Sequence, residues 1–297
     1  MRAKALAYLA LCFYIFSFTA RSSTTNLSTQ VSAEYAHSDN IMNAYKAADI
    51  YDDQTHTVLA KVSYALPITI NRKVNFVASA KANRQQSFSM LNNTELALGA
   101  WYGWQNKFEY LAPYYIVSAN IKTVNSRSNA RDAKQLDLTF IWNKRLTDVL
   151  QMRAGLNSSH ITANKKVFDQ TINQAFGQAE YKLTNNWQLH LRVNYAMGDL
   201  VSSQRTSYCI NDQETSQVYT PNQYNYLWYD QDINQNLCGD WYSYNYSGRF
   251  YTGYIAGHYK SNAHKISLKV QRAWTHADNS VSSYQKNELS VSYRYKF

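Results

Sequence analysis

The 297-residue chain sets 30 Lys and Arg against 20 Asp and Glu, a formal charge of +10, and carries 26 Tyr and 7 Trp but only 3 Pro. Beyond its N-terminal stretch it has no run of 18 apolar residues, which excludes a helical membrane span. Its bases are scattered rather than clustered, which argues against nucleic acid as a partner. A mean hydropathy of −0.51 does not exclude a membrane-spanning sheet, because only alternate residues of such strands face lipid.

Met1 to Ala20 sets Arg2 and Lys4 ahead of a mostly apolar run from Ala5 to Phe18, the pattern of a secretory signal peptide. Residues 1–22 are read as a leader, cleaved after Ala20 or, with Ala20 three positions before the cut, after Ser22. Losing Arg2 and Lys4 lowers the formal charge from +10 to +8, or to +7 if Arg21 goes too. The LALC run at Leu9–Cys12 lacks the small residue that a lipoprotein box wants before its cysteine, so Cys12 is expected to be discarded.

From residue 23 to 297 the chain reads as one all-β domain of alternating segments. Thr25 to Ala36 sets Leu27, Val31, Ala33 and Tyr35 against Asn26, Gln30 and Glu34. His56 to Leu66 and Lys73 to Arg84 follow, joined by a turn at Pro67 to Asn71, where proline costs no ladder bond. The fourth segment, Asn93 to Trp104, turns at Gln105 to Lys107 into a fifth at Glu109 to Lys122, in which both phases are apolar and the faces stay undecided. Lys134 to Trp142 is sixth. A seventh follows the Asn143 to Asp148 turn, with Leu150, Met152, Ala154 and Leu156 on one side and Gln151 and Arg153 on the other.

Thr171 to Leu183 is eighth, and after Thr184 to Asn186 the ninth alternates Trp187, Leu189, Leu191, Val193 and Tyr195 with Gln188, His190, Arg192 and Asn194. Tyr246 to His258 and Lys265 to His276 come next. The last ten residues, ELSVSYRYKF, put Leu289, Val291, Tyr293, Tyr295 and Phe297 on one face and Glu288, Ser290, Ser292, Arg294 and Lys296 on the other. The pattern predicts a transmembrane antiparallel up-and-down β-barrel of 12 strands, with short turns at one end and longer connections at the other, such as His37 to Thr55. A secreted β-sandwich would explain the alternation but not the strand length, the loop asymmetry and the aromatic ending together.

That ending resembles the C-terminal signature of Gram-negative outer-membrane β-barrels. The resemblance implies residence in the cell outer membrane, contact with membrane lipids and lipopolysaccharide, and recognition of Phe297 by the outer-membrane insertion machinery.

Gly198 to Gly239 forms the longest connection, an extracellular loop of about residues 198–241, and contains Cys209 and Cys238. Their 29-residue separation and the exported setting favour a disulfide, while the absence of a CxxC or a nearby His disfavours a metal. Asp230, Asp232 and Asp240, with Tyr226, Trp228, Tyr229 and Trp241, give this loop the means to narrow or cap a channel. The acids match no calcium loop. No histidine set has metal-ligand spacing, no glycine-rich loop cradles a phosphate, and no cofactor is expected.

On the inward phase fall Lys61, Lys81, Arg153, Arg192, Lys265, Lys269, Arg294 and Lys296, with Arg249 added if the tenth strand shares that phase. Glu34, Glu95, Asp137, Glu180 and Glu288 oppose them. Such an interior needs water or a polar network, and its positive excess favours anionic solutes. At class level the barrel resembles the small oligosaccharide-acid channels of the outer membrane, and the resemblance implies a porin for small anionic or saccharide solutes. A surface adhesion or structural barrel without conductance is the alternative. A minor one is lipid hydrolysis, because the SSHITAN segment resembles outer-membrane phospholipases. It sets His160 two residues before Thr162, where those enzymes have serine, and Asn173 lies on the next strand to orient the histidine.

Overall fold

The computed structural model describes residues 26–206, 224–278 and 283–297 with their side chains, and the backbone of 209–210 and 213–214. The leader at 1–22 lies outside the described residues.

Twelve long strands form one sheet: β1 (Leu27–Ser38), β2 (Asp53–Thr69), β3 (Arg72–Gln85), β4 (Asn93–Gln105), β5 (Tyr114–Ser126), β6 (Ala133–Arg145), β7 (Leu150–Ala163), β8 (Gln170–Lys182), β9 (Trp187–Arg205), β10 (Trp241–Ser261), β11 (His264–Ala277) and β12 (Gln285–Lys296). Each is antiparallel to its neighbour, and β12 pairs back onto β1, so the sheet closes and these strands keep no free edge. The register keeps like with like. Val31 stands between Ala60 and Tyr295, while the next residue back, Gln30, stands between Lys61 and Lys296.

The two phases differ in solvent contact. Leu96, Leu98, Ile121, Leu156, Val193, Ile255 and Val270 are well exposed on the outer phase, and the inward neighbours of each are half-buried or buried. Aromatic side chains bound this apolar band. Near the short-turn end Tyr102, Trp104 and Tyr115 stack with centroids 5.5 and 5.3 Å apart, and Trp187 meets Tyr259 at 5.1 Å. Toward the other end Tyr195 meets Tyr251 at 5.2 Å. Positions 187 and 195 lie eight residues apart on one strand, and two aromatic levels around an apolar belt are the exterior of a barrel made for hydrocarbon.

Connections 70–71, 146–149, 183–186 and 262–263 are tight, and 106–113 shares their end of the barrel. Thr147 and Thr184 build the same turn, each hydroxyl accepting from a backbone N–H three residues on, Leu150 and Trp187, at 3.0 Å. Connections 39–52, 86–92, 127–132, 164–169, 206–240 and 278–284 gather at the opposite end.

Several boundaries differ from those the sequence predicts. Pro67 lies within β2, past Tyr64, the last residue of β2 paired with β1, and opposite Lys73 of β3, with a register slip between Pro67 and Thr69. β5 starts at Tyr114 rather than Glu109, because the Gln105 amide donates to the carbonyls of Glu109 (2.8 Å) and Ala112 (3.2 Å) and holds 109–112 in a turn ahead of Pro113. β9 runs on to Arg205 and β10 begins at Trp241, so the long connection is 206–240 rather than about 198–241. Near Gly198, at φ 140°, this hairpin outgrows the wall, and a short strand, Tyr226–Tyr229, takes the place of β11 beside it.

Two glycines admit inward aromatics. A Cβ on Gly155 would lie 2.5 Å from Cζ of Phe176, and one on Gly103 would overlap the Tyr114 ring, 2.5 Å from its Cζ. Large rings thus lie flat against the wall instead of filling the interior.

Candidate functional site

The inner wall carries an ordered set of ion pairs. Lys81 meets Glu95 at 3.1 Å, Lys122 meets Asp137 at 3.5 Å, Arg153 meets Glu180 at 3.6 Å, and Lys269 meets Glu288 at 2.8 Å. Each pair joins residues of neighbouring strands on one phase, so hairpin register alone sets the spacing. Amides knit them further. Gln135 donates to Asp137 at 2.6 Å and to Ser159 at 2.9 Å, and Gln178 donates to Glu180 at 2.6 Å.

Arg192 lies over the Phe176 ring at 4.0 Å and donates to Asn194 at 2.7 Å. It interacts with the wall without neutralising its charge. His190 and His258 sit edge to face at 4.1 Å, and His190 Nε2 is 3.8 Å from Glu180. Lys61, Lys265, Arg294 and Lys296 share the inward phase but join none of the ion pairs among the described residues.

Of the positions singled out in the sequence, Lys61, Lys81, Arg153, Arg192, Lys269 and Arg294 occupy this polar phase. Arg249 does not. It pairs with Met197 and His276 and shares the phase of Tyr251 and Ile255, so its side chain belongs to the outer face. Tyr occurs on both phases of β10, and Gly at 248, 253 and 257 erases the alternation that would have fixed its register. Lys122 and Lys260 are wall bases that sequence reasoning missed, one in a segment apolar on both phases and the other between the tenth and eleventh predicted segments.

The outer-face trio comes only partly together. His160 Nδ1 is 3.0 Å from the Thr171 hydroxyl, and Nε2 is 3.4 Å from that of Thr162. Asn173 instead stands opposite Ser158, so a hydroxyl rather than an amide or carboxylate steadies the ring. A histidine held that way lacks the carboxylate or amide acceptor that stabilises an imidazolium during nucleophile activation.

At the long-loop end, the connections fold onto one another. Met42, Ala44, Phe88, Met90, Ile233 and Trp241 form a buried cluster drawn from three connections and the start of β10. Asp230 caps the single-turn helix α1 (Gln231–Asn234), accepts from Ser243 at 2.7 Å, and pairs with Arg131 of the β5–β6 connection. Asp232 accepts from Ser128. From the β1–β2 connection, Asp49 receives Arg205 at 2.7 Å, and Met42 O accepts from Ser203 N at 3.0 Å. Asp230 and Asp232 of the long connection are thus engaged in protein contacts, and no group of three or more metal-ligating side chains converges among the described residues. The carbonyl of Cys238 accepts from Trp241 Nε1 at 3.2 Å, while the Cys209 side chain lies outside the described residues.

No family model matches the chain, and no curated protein does. Among solved structures, the COG4313 outer membrane channel from Pseudomonas putida F1 is similar, with a TM-score of 0.58 at 9% identity over 93% of this chain and 97% of that one. The outer membrane channel DcaP of Acinetobacter baumannii gives a TM-score of 0.41 at 9% identity, over 92% and 96%. An anion-selective porin from Comamonas acidovorans gives 0.40 at 6%, over 91% and 98%. The first shows that the chain has the closed antiparallel barrel fold of outer-membrane channels.

Proposed function

We propose that this protein is an outer-membrane channel through which small hydrophilic solutes diffuse passively, with anionic or sugar-like solutes favoured. The observation that carries the proposal is the inner wall. Ion pairs, amides and unneutralised bases line it where a barrel closed by packing would carry apolar side chains. The bases outside the pairs stay charged only when hydrated, and a hydrated wall with excess positive charge concentrates anions.

The apolar outer band and its aromatic levels support residence in the outer membrane, among lipids and lipopolysaccharide. The leader at 1–22 supplies export, and Phe297 the residue the insertion machinery reads. A Cys209–Cys238 disulfide would staple the long connection over the outer mouth.

The test is single-channel conductance of the heat-modifiable, folded protein in planar bilayers, with the reversal potential measured in a salt gradient. A steady conductance with anion preference is expected. The buried cap favours one rival, a structural or adhesive barrel closed at that end, and folded protein without conductance would establish it instead.

A further inference from the structure

We infer that the inner wall at the short-turn end holds a discrete binding site for a compact, multiply charged oxyanion of the phosphate class. Lys260 of β10 stands directly opposite Lys265 of β11, which stands directly opposite Arg294 of β12. One step toward the short-turn end, Gln30 of β1 stands between Lys61 of β2 and Lys296 of β12. These five bases border one cavity of about 340 Å³, and no carboxylate lines it.

Like charges directly opposite one another on neighbouring strands repel, and this wall avoids the arrangement elsewhere. Glu95, Asp137, Glu180 and Glu288 each take a base from the adjacent strand. The nearest such acid, Glu180, is engaged by Arg153 at 3.6 Å and His190 at 3.8 Å. Glu34 lies farther along β1, opposite Thr57 and Ser292, and forms none of the wall's ion pairs. Three bases in a row across three strands, with two more alongside, therefore have no ion-paired counter-charge among the described residues.

A multiply charged anion supplies that counter-charge. The hydroxyls of Ser28 and Ser63 and the amide of Asn262 line the same cavity and offer hydrogen bonds to oxygens. A volume of this size accommodates a phosphate or small phosphate monoester. The site deepens the channel proposal by naming the class of anion, and it rests on that proposal only for the solute's route of access.

Isothermal titration of the full barrel with inorganic phosphate, in a non-ionic detergent free of lipid phosphate, tests the site without recourse to conductance. Saturable binding is expected, with Lys265→Gln and Arg294→Gln each weakening it about tenfold. The double variant Lys81→Gln with Glu95→Gln, which removes a neutral pair elsewhere, should leave it unchanged. Absence of saturable binding, or binding by both single variants as tight as that of the unmodified barrel, overturns the inference. Heat-modified gel migration verifies each barrel, and Lys61→Gln on the second row carries the same test if another variant fails to fold. If phosphate binds but the barrel does not conduct, the channel proposal fails and the site stands. If it conducts without binding phosphate, the reverse holds.

Discussion

The carboxylate of Asp230, fully buried, pairs with the guanidinium of Arg131 from a different connection at the long-loop end. Asp230 also caps α1 through the Ile233 N–H and accepts from Ser243, so one side chain ties three segments together. Asp230→Ala removes one partner of a desolvated pair and leaves Arg131 without its counter-ion, a change that typically costs about 3 to 5 kcal/mol. The expected result is protease sensitivity within 226–240, with amide exchange there faster by roughly a hundredfold or more. Gel migration of the barrel should stay heat-modifiable, because the twelve-strand ladder does not run through Asp230.

How much of this was legible follows from where alternation holds. β9 up to Tyr195 and β12 put apolar and polar residues in strict alternation because one side meets a nonpolar surround and the other a polar interior, and both were readable residue by residue. Beyond Gly198 and Gly248 the hairpin is covered on both sides. Leu200, Tyr244 and Tyr246 are buried on one, and Ser203 bonds Ser243 on the other at 2.8 Å. With both faces covered the period of two disappears, and strand looks like loop. The cap was legible as chemistry, from its acids and aromatics, but not as geometry, since Arg131 and Asp230 stand 99 residues apart. The row Lys260, Lys265 and Arg294 needs the register of three strands, of which the sequence supplies the alternation but not the alignment.

Gly155 exists to receive Phe176. A methyl group there would meet the ring at 2.5 Å and the Phe140 carbonyl oxygen at 2.6 Å, so neither neighbour alone relieves the clash. Gly155→Ala should destabilise the barrel by about 1 to 3 kcal/mol, seen as a lower temperature for the shift from folded to unfolded migration. Phe176→Leu should restore only part of the loss, because the backbone contact remains.

The proposed Cys209–Cys238 bond would close a loop worth about 3 to 4 kcal/mol of unfolded-state entropy on the simple chain estimate. Reduction, or Cys238→Ser, is expected to speed proteolysis of the long connection while leaving the barrel's heat-modified shift in place. Mapping the cystine peptide by mass spectrometry decides the pairing. A bond from Cys238 to any other partner, or equal protease resistance after reduction, would count against it.

Selectivity should answer to single carboxylates, because the wall's pairs hold their bases close to neutral in sum. Glu95, 18% exposed at its side chain, takes Lys81 at 3.1 Å and Asn83 at 3.0 Å. Glu95→Gln keeps the shape and the Asn83 bond but frees the lysine charge toward the interior. A unit charge about 8 Å from a passing ion contributes roughly 0.5 kcal/mol in water, about a twofold change in local ion concentration. Because anions gain and cations lose by that factor, the anion-to-cation permeability ratio, read from the reversal potential, should rise about fourfold at low ionic strength. Lys81→Gln should lower it by a similar factor, since Glu95 is then left as the uncompensated charge. Both effects should shrink as ionic strength approaches 1 M, where the screening length falls to about 3 Å. Shifts of the same sign in both variants would mean that the pair acts through wall structure and not through its charge.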